Sequence, residues 1–266
     1  MVLLSFDTEE FDVPREHGVD ISLDESMAVS VKGTNRILDI LKECGVRATF
    51  FCTVTFAEHA PQVMQRIMAE GHEVASHDLN HWKPQPGDAV RAKVALEQLC
   101  ARPVLGYRQP RMQPVDTDEL KNAGYRYNSS MHPTMIPGRY MHLNMPRAPF
   151  FDGGVLQIPV SVSPCLRMPV FWLACHNYPQ WLYRWLCRRT LRHDGRFVIY
   201  FHPWEFVNLN GHQEWHIPWV IRRNSGDEMA RRLKALIDMM KKIDSDFITY
   251  TEFYNIFCEL HPHQHD

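Results

Sequence analysis

Apolar residues along this chain follow two alternating rhythms. Short continuous runs, read as buried strands, are separated by longer segments whose apolar residues recur three or four apart, read as helices. Residues 2–6 are apolar and stop at Asp7-Thr8-Glu9-Glu10. Ile37, Leu38, Ile40 and Leu41 sit at helical spacing, and Gly45 can close that helix. Residues 46–54 are β-branched and aromatic, the second strand. Residues 61–70 predict a helix with Pro61 at its start and Gly71 beyond its end. A third short strand, 73–76, runs into His77.

The rhythm continues through the rest of the chain. Residues 89–99 predict a helix, and 103–107 a short strand ending in Arg108-Gln109-Pro110. A helix over 116–123 is closed by Gly124, and 125–127 lead into Asn128-Ser129-Ser130. Residues 131–154, with Pro133, Pro137, Pro146 and Pro149, read as irregular. A strand over 155–160 contains Pro159, which predicts an edge or bulged position. An aromatic helix spans 171–193, broken at Pro179. Strand 197–201 runs into His202-Pro203-Trp204-Glu205. A helix over 227–242, a last strand over 247–250 and a last helix over 252–260 complete the reading.

Seven or eight strands alternating with helices predict an α/β fold of parallel strands joined by right-handed crossovers. In a closed barrel of that kind all strand ends open onto one face. Asp7, His77, His81, Arg108, Asn128 and His202 would then converge there. With 266 residues and 45% hydrophobic residues, the chain suits one barrel domain over 1–260, followed by a disordered, histidine-rich tail over 261–266. The net charge of -2 argues against nucleic acid as a partner. The seven cysteines are odd in number and form no CxxC pair, so reduced thiols in a cytoplasmic protein are expected. No basic segment and long apolar stretch precede residue 2, so no signal peptide is expected.

The chemistry centres on His77 and His81. Two imidazoles four apart can reach one metal ion, and a zinc site that does chemistry takes three protein ligands with one position open. A carboxylate is the expected third. Two aromatic segments raise further possibilities. His212, Trp215, His216 and Trp219 within 208–224 could stack on a sugar or simply anchor a loop. Residues 166–192 gather Trp181 and Trp185 with Arg184, Arg188, Arg189 and Arg192, either a solvated basic face or a peripheral membrane contact.

The motif set resembles that of the polysaccharide deacetylases, the NodB-homology group of carbohydrate esterase family 4. The likeness rests on Ser5-Phe6-Asp7-Thr8-Glu9-Glu10, the Thr49-Phe50-Phe51 strand, His77 to His81, Arg108-Gln109-Pro110 and Tyr200-Phe201-His202. The Tyr127-Asn128-Ser129-Ser130 and His202-Pro203-Trp204-Glu205 versions are similar to an exopolysaccharide-associated branch. The resemblance implies a distorted (β/α)7 TIM-like barrel of NodB type. It also implies hydrolysis of N-acetyl or N-formyl groups on amino sugars of a polysaccharide or its lipid-linked precursor. One divalent ion, zinc first and cobalt, nickel or manganese as alternatives, would be held by Glu9, His77 and His81. Asp7 would serve as base, His202 as acid, and Arg108 would orient Asp7. Pro110, Asn128 and Trp204 would meet substrate. Two departures are evident. Thr8 stands where many members carry a second aspartate, which moves the third ligand to Glu9, with Glu10 the alternative. Asn128 stands where relatives often have an aspartate that orients the acid histidine. A small non-sugar amide as substrate, or a catalytically silent glycan-binding barrel, are the alternatives on the same fold.

Overall fold

The computed structural model describes residues 1–136, 140–243 and 245–262. Its strands are β1 (Val2–Thr8), β2 (Thr49–Cys52), β3 (Glu73–Ser76), β4 (Gly106–Tyr107), β5 (Tyr127–Asn128), β6 (Met135–Ile136), β7 (Tyr140–Met141), β8 (Phe150–Asp152), β9 (Val155–Gln157) and β10 (Phe197–Phe201). Eight of them form one curled sheet in the order β10-β1-β2-β3-β4-β5-β9-β8. Seven run parallel, and β8 alone pairs antiparallel, as a hairpin with β9. The two edges meet beyond β9, where the Ser161 N–H donates to the Val198 carbonyl of β10 at 3.0 Å. The result is the expected distorted (β/α)7 barrel, closed by irregular chain.

Side-chain alternation divides β1 between two cores. Val2, Leu4 and Phe6 face the outer layer of helices. Leu3 faces the barrel interior with Phe51, Ala75, Tyr127, Leu156 and Tyr250. Ser5 and Asp7 continue that inner row, so the interior grades from apolar at the bottom to charged at the top.

Helix Leu23–Cys44 starts where Ser22 accepts from the Glu25 N–H and stops at Gly45, whose φ of 61° is left-handed. It passes so close to the segment after β10 that a Cβ on Gly33 would lie 1.9 Å from the Pro203 carbonyl oxygen. Glycine at 33 therefore sets how near His202 can sit.

Several expected boundaries move for local reasons. The second strand is shorter than 46–54 because Thr53 caps a new helix, Val54–His59, accepting from the Phe56 N–H. No strand covers 247–250. A single bridge joins Val2 to Phe247, and Thr249 with Glu252 forms a capping box that starts helix Tyr250–Leu260 early. Strand β9 stops at Gln157, and past it Pro159 separates two backbone bonds, Ile158 N–H to Asn128 and Val160 N–H to Met131. The helix over 171–193 is indeed two, Trp172–Asn177 and Gln180–Asp194. Within 131–154, a two-stranded β6–β7 sheet and β8 replace an irregular stretch. Of the tail, residues 263–266 lie outside the described residues.

Candidate active site

The strand ends converge on a cavity of 270 Å³ lined by Asp7, Glu9, His77, His81, His202 and Trp204, among others. Each side chain is placed by an identifiable partner. His77 follows β3, and its Nδ1 lies 2.8 Å from the Arg108 carbonyl oxygen. His81 Nδ1 lies 2.8 Å from Asp12 Oδ2. Both acceptors lack protons to give, so both rings carry their proton on Nδ1 and turn the Nε2 lone pair inward. Glu9 Oε2 sits 3.1 Å from His77 Nε2 and 3.3 Å from His81 Nε2. Three buried donor atoms thus lie within 4.8 Å of one another. Two lone pairs against a carboxylate repel unless a cation or a proton intervenes, so the donor set fits a divalent metal.

Asp12 was not identified in the sequence. It stands five residues past the strand-end Asp7, with no periodicity to mark it, and Arg111 also reaches it, at 3.3 Å. Arg111 adopts φ 59° and Met112 φ 51°, a left-handed pair that is costly for non-glycine residues and aims Arg111 back into the cavity. Glu10, the alternative ligand, is committed elsewhere. It accepts from the His81 N–H at 2.7 Å and from Thr53 Oγ1 at 2.9 Å, holding the His81 loop in place. Thr8 points away from the cavity, as alternation demands, with its hydroxyl on the Phe6 carbonyl.

Asp7 is ion-paired with Arg108, which is wholly buried. Arg108 also donates to Ser5 Oγ at 3.0 Å, the Ser129 carbonyl at 3.0 Å, Ser129 Oγ at 3.0 Å and Tyr250 Oη at 2.9 Å. Its guanidinium lies over the Phe51 ring at 4.0 Å. Burial would raise the Asp7 pKa, but Arg108, His77 and His202 together outweigh it and hold the carboxyl below its ordinary value. Asp7 is therefore ionised at neutral pH.

His202 follows β10, the strand paired with β1, one residue past the Phe6–Phe201 pair just as Asp7 is, and lies among Trp172, Tyr200 and Trp204, with Trp204 stacked on it at 4.9 Å. With asparagine at 128, the group that orients His202 is either Asn128 or another residue, and the structure sets another residue beside it. Asn128 donates to Gln157 Oε1 at 2.8 Å and accepts from Ser130 Oγ. Neither Asn128 nor Pro110 lines the cavity, so their expected contact with substrate is not supported by their positions. Glu205 partners His202 instead, with Oε1 3.0 Å from Nδ1 and 2.6 Å from the His202 main-chain nitrogen. Trp204 does line the cavity, and its indole N–H has no protein partner. In the 208–224 segment, Trp215 is buried and donates to Glu25 Oε1 at 3.2 Å, with His212 stacked on it at 3.8 Å. Those rings anchor the loop, while Ile221 reaches the cavity.

Residues 2–127 match the family model Polysaccharide deacetylase. A chitooligosaccharide deacetylase of Bradyrhizobium sp. (strain ANU 289) is 36% identical over 81 residues, 30% of this chain. The matched segment spans only 36% of that relative's own length and 22% of a second chitooligosaccharide deacetylase, from Sinorhizobium fredii. Among solved structures, Puue allantoinase superposes with a TM-score of 0.69 at 15% identity, covering 98% of this chain and 91% of that one. The Bc1960 peptidoglycan N-acetylglucosamine deacetylase superposes with a TM-score of 0.51 at 18% identity, covering 94% and 86%. At those identities the likeness establishes the fold.

Proposed function

We propose, for a chain that belongs to the polysaccharide deacetylase family through residues 2–127, a metal-dependent hydrolase that removes the N-acetyl or N-formyl group from an amino sugar. The observation that carries this reading is the inward convergence of the His77 and His81 Nε2 lone pairs on Glu9 Oε2, in the same cavity as Asp7 and His202. When bound there, a divalent ion such as zinc would polarise the acyl oxygen and acidify water. Cobalt, nickel or manganese could serve the same donors.

The protein's own groups would do the rest. Asp7, ionised and fixed by Arg108, accepts a proton from the attacking water. His202, at the end of the neighbouring strand β10 and in the same cavity, protonates the departing nitrogen. Each positioned base or acid is worth ~10²–10⁴ in rate. The wall of Phe171, Trp172 and Trp204 offers apolar surface to a sugar face or acyl methyl.

The cavity, 270 Å³ and open to solvent, has room for one N-acylated sugar unit while the rest of a longer chain lies outside it. A small non-sugar amide, hydrolysed by the same residues, also fits and is the second reading.

Two measurements test the reading. Metal analysis should find about one ion per chain, lost in both His77→Ala and Glu9→Ala; the 261–266 tail is common to all three proteins and cancels. A screen of N-acylated amino sugars and small amides then reads turnover. Full activity in Asp7→Asn on a confirmed substrate would sink the mechanism, and hydrolysis of small amides alone would select the second reading.

A further inference from the structure

Beyond His202 the structure holds a buried chain of three ionisable groups. Glu205 is wholly buried, as is His176 on helix Trp172–Asn177. Glu205 Oε1 lies 3.0 Å from His202 Nδ1, and Oε2 lies 3.0 Å from His176 Nε2. His176 Nδ1 has no partner among the described residues. Arg232 approaches, but it donates to the Cys175 and His176 main-chain carbonyls, at 2.6 and 3.0 Å, and not to the carboxylate. A bare carboxylate sealed here without a cation would be costly. A neutral carboxylic acid satisfies every contact. His176 Nε2–H donates to Oε2, the main-chain N–H of His202 donates to Oε1, and the Oε1 hydroxyl donates to His202 Nδ1. That leaves the His202 proton on Nε2.

We propose that Glu205 stores the proton that keeps His202 working as an acid, a positioning and relay role that rests on the amidohydrolase reading. As the amide C–N bond breaks, the nitrogen takes the Nε2 proton of His202, and His202 Nδ1 takes the hydroxyl proton of Glu205. Glu205 ends as carboxylate and His202 stays neutral throughout. Asp7 holds the proton of the attacking water, and exchange with solvent restores the start. The groups facing this chain are Asp7, Glu9, His77, His81, Arg108, Cys175, Arg223 and Arg232. Burial pushes Glu205 well above the ordinary carboxylate range, with Asp7 and Glu9 adding and the His202 N–H opposing. Burial also takes both His202 and His176 down to about 3, so neither ring is charged at neutral pH.

The test reads protonation directly in the metal-loaded protein, without turnover. Infrared spectra with isotope-labelled glutamate should show a protonated-carboxyl band at neutral pH that is missing in Glu205→Gln. Should that variant not fold, NMR of labelled histidine in the wild type decides. A neutral His202 protonated on Nε2 supports the relay, and a doubly protonated His202 beside an ionised Glu205 overturns it. On a confirmed substrate, Glu205→Gln should lower kcat about 100-fold at unchanged KM. If no amide is ever hydrolysed, the functional reading fails while the spectra still decide the protonation.

A separate observation carries a second inference. From residue 153 to residue 193 the chain has no Asp or Glu but five arginines, within a protein of net charge -2. Helix Gln180–Asp194 buries Tyr183, Leu186, Cys187 and Leu191. Its outward stripe carries Trp181 and Trp185, 73% and 53% exposed, followed by the exposed Arg188 and Arg192. Trp219, 60% exposed, opens the short helix Trp219–Arg222 that also carries the cavity-lining Ile221. Tryptophan prefers the headgroup level of a bilayer, and arginine is drawn to anionic lipid. No helix among the described residues is long and apolar enough to cross a membrane.

We infer that this exposed tryptophan–arginine stripe of helix Gln180–Asp194 docks on an anionic bilayer surface. The full chain should co-sediment with phosphatidylglycerol-containing vesicles at low salt and not with pure phosphatidylcholine. Arg188→Glu with Arg192→Glu should weaken partitioning about tenfold or more, and Trp181→Ala with Trp185→Ala should weaken it as well. Absence of vesicle binding overturns the inference. So does binding that ignores the tryptophans and is matched by a soluble polyanion.

Discussion

The two walls of the cavity solve opposite problems. The wall built from β1 and β3 concentrates charge. Asp7, Glu9, Asp12, His77 and His81 stand within a few ångströms, and Arg108 and Arg111 supply the nearby positive charge. The wall built after β10 avoids charge. His202, Glu205 and His176 are enclosed by Trp172, Trp204 and Tyr200 with no cation paired to the carboxylate. Burial is similar on both sides, so exposure does not separate them. What differs is the partner each group meets. Asp7, beside a guanidinium, stays ionised, and Glu9 faces two imidazole lone pairs that a cation would reconcile. Glu205, contacted by two imidazoles with no site for a cation among the described residues, is better neutral. The first wall suits a cation and a base, and the second suits a group that hands over a proton.

The contrast can be broken in graded steps. His77→Ala should remove the ion and reduce turnover to background, read by metal analysis and hydrolysis together. Asp7→Asn should leave metal bound yet cost ~10³-fold in kcat; equal loss of metal would mean that Asp7 is itself a ligand. Asp12→Asn should weaken metal affinity about 10–100-fold by releasing the His81 ring, measured by chelator competition. A variant with unchanged affinity would detach Asp12 from the metal half.

The uncharged wall makes a pH prediction. His176 has a pKa of about 3 in the fold against roughly 6.5 for a free imidazole. Its folded value is depressed, so the native state takes up protons less readily than the unfolded chain. Stability attributable to it is complete above about pH 6.5 and is lost as pH falls towards 3, at about 1.4 kcal/mol per unit. Denaturant melts of His176→Gln should therefore lose stability less steeply over that window than wild type. Identical slopes would place the buried charge cost elsewhere. The smallest effect belongs to Asn128. It touches Gln157 and Ser130 rather than His202, so Asn128→Ala should alter kcat by less than about tenfold while lowering stability by about 1 kcal/mol. A larger kinetic loss would return Asn128 to the acid wall.

Much of this molecule was legible from the chain itself. Alternation of short apolar runs with helical spacing gave the α/β barrel, because strand and helix periods are local properties of the backbone. The same alternation put Asp7 and Glu9 on one face and Thr8 on the other. The close spacing of His77 and His81 marked a candidate metal-binding pair. What only the tertiary structure decided was partnership. Asp12 finds His81 across a loop, and Arg108 threads the barrel to Asp7. Glu205 turns back on His202 through a tight turn, and His176 arrives from a separate helix. Gly33 lets that turn approach. None of these meetings has a sequence period, since each depends on how far two elements stand apart after packing. Even the early start of helix Tyr250–Leu260 is of this kind. Residues 247–250 are apolar enough for a strand, but a capping box took them once the sheet beside Val2 had room for a single bridge.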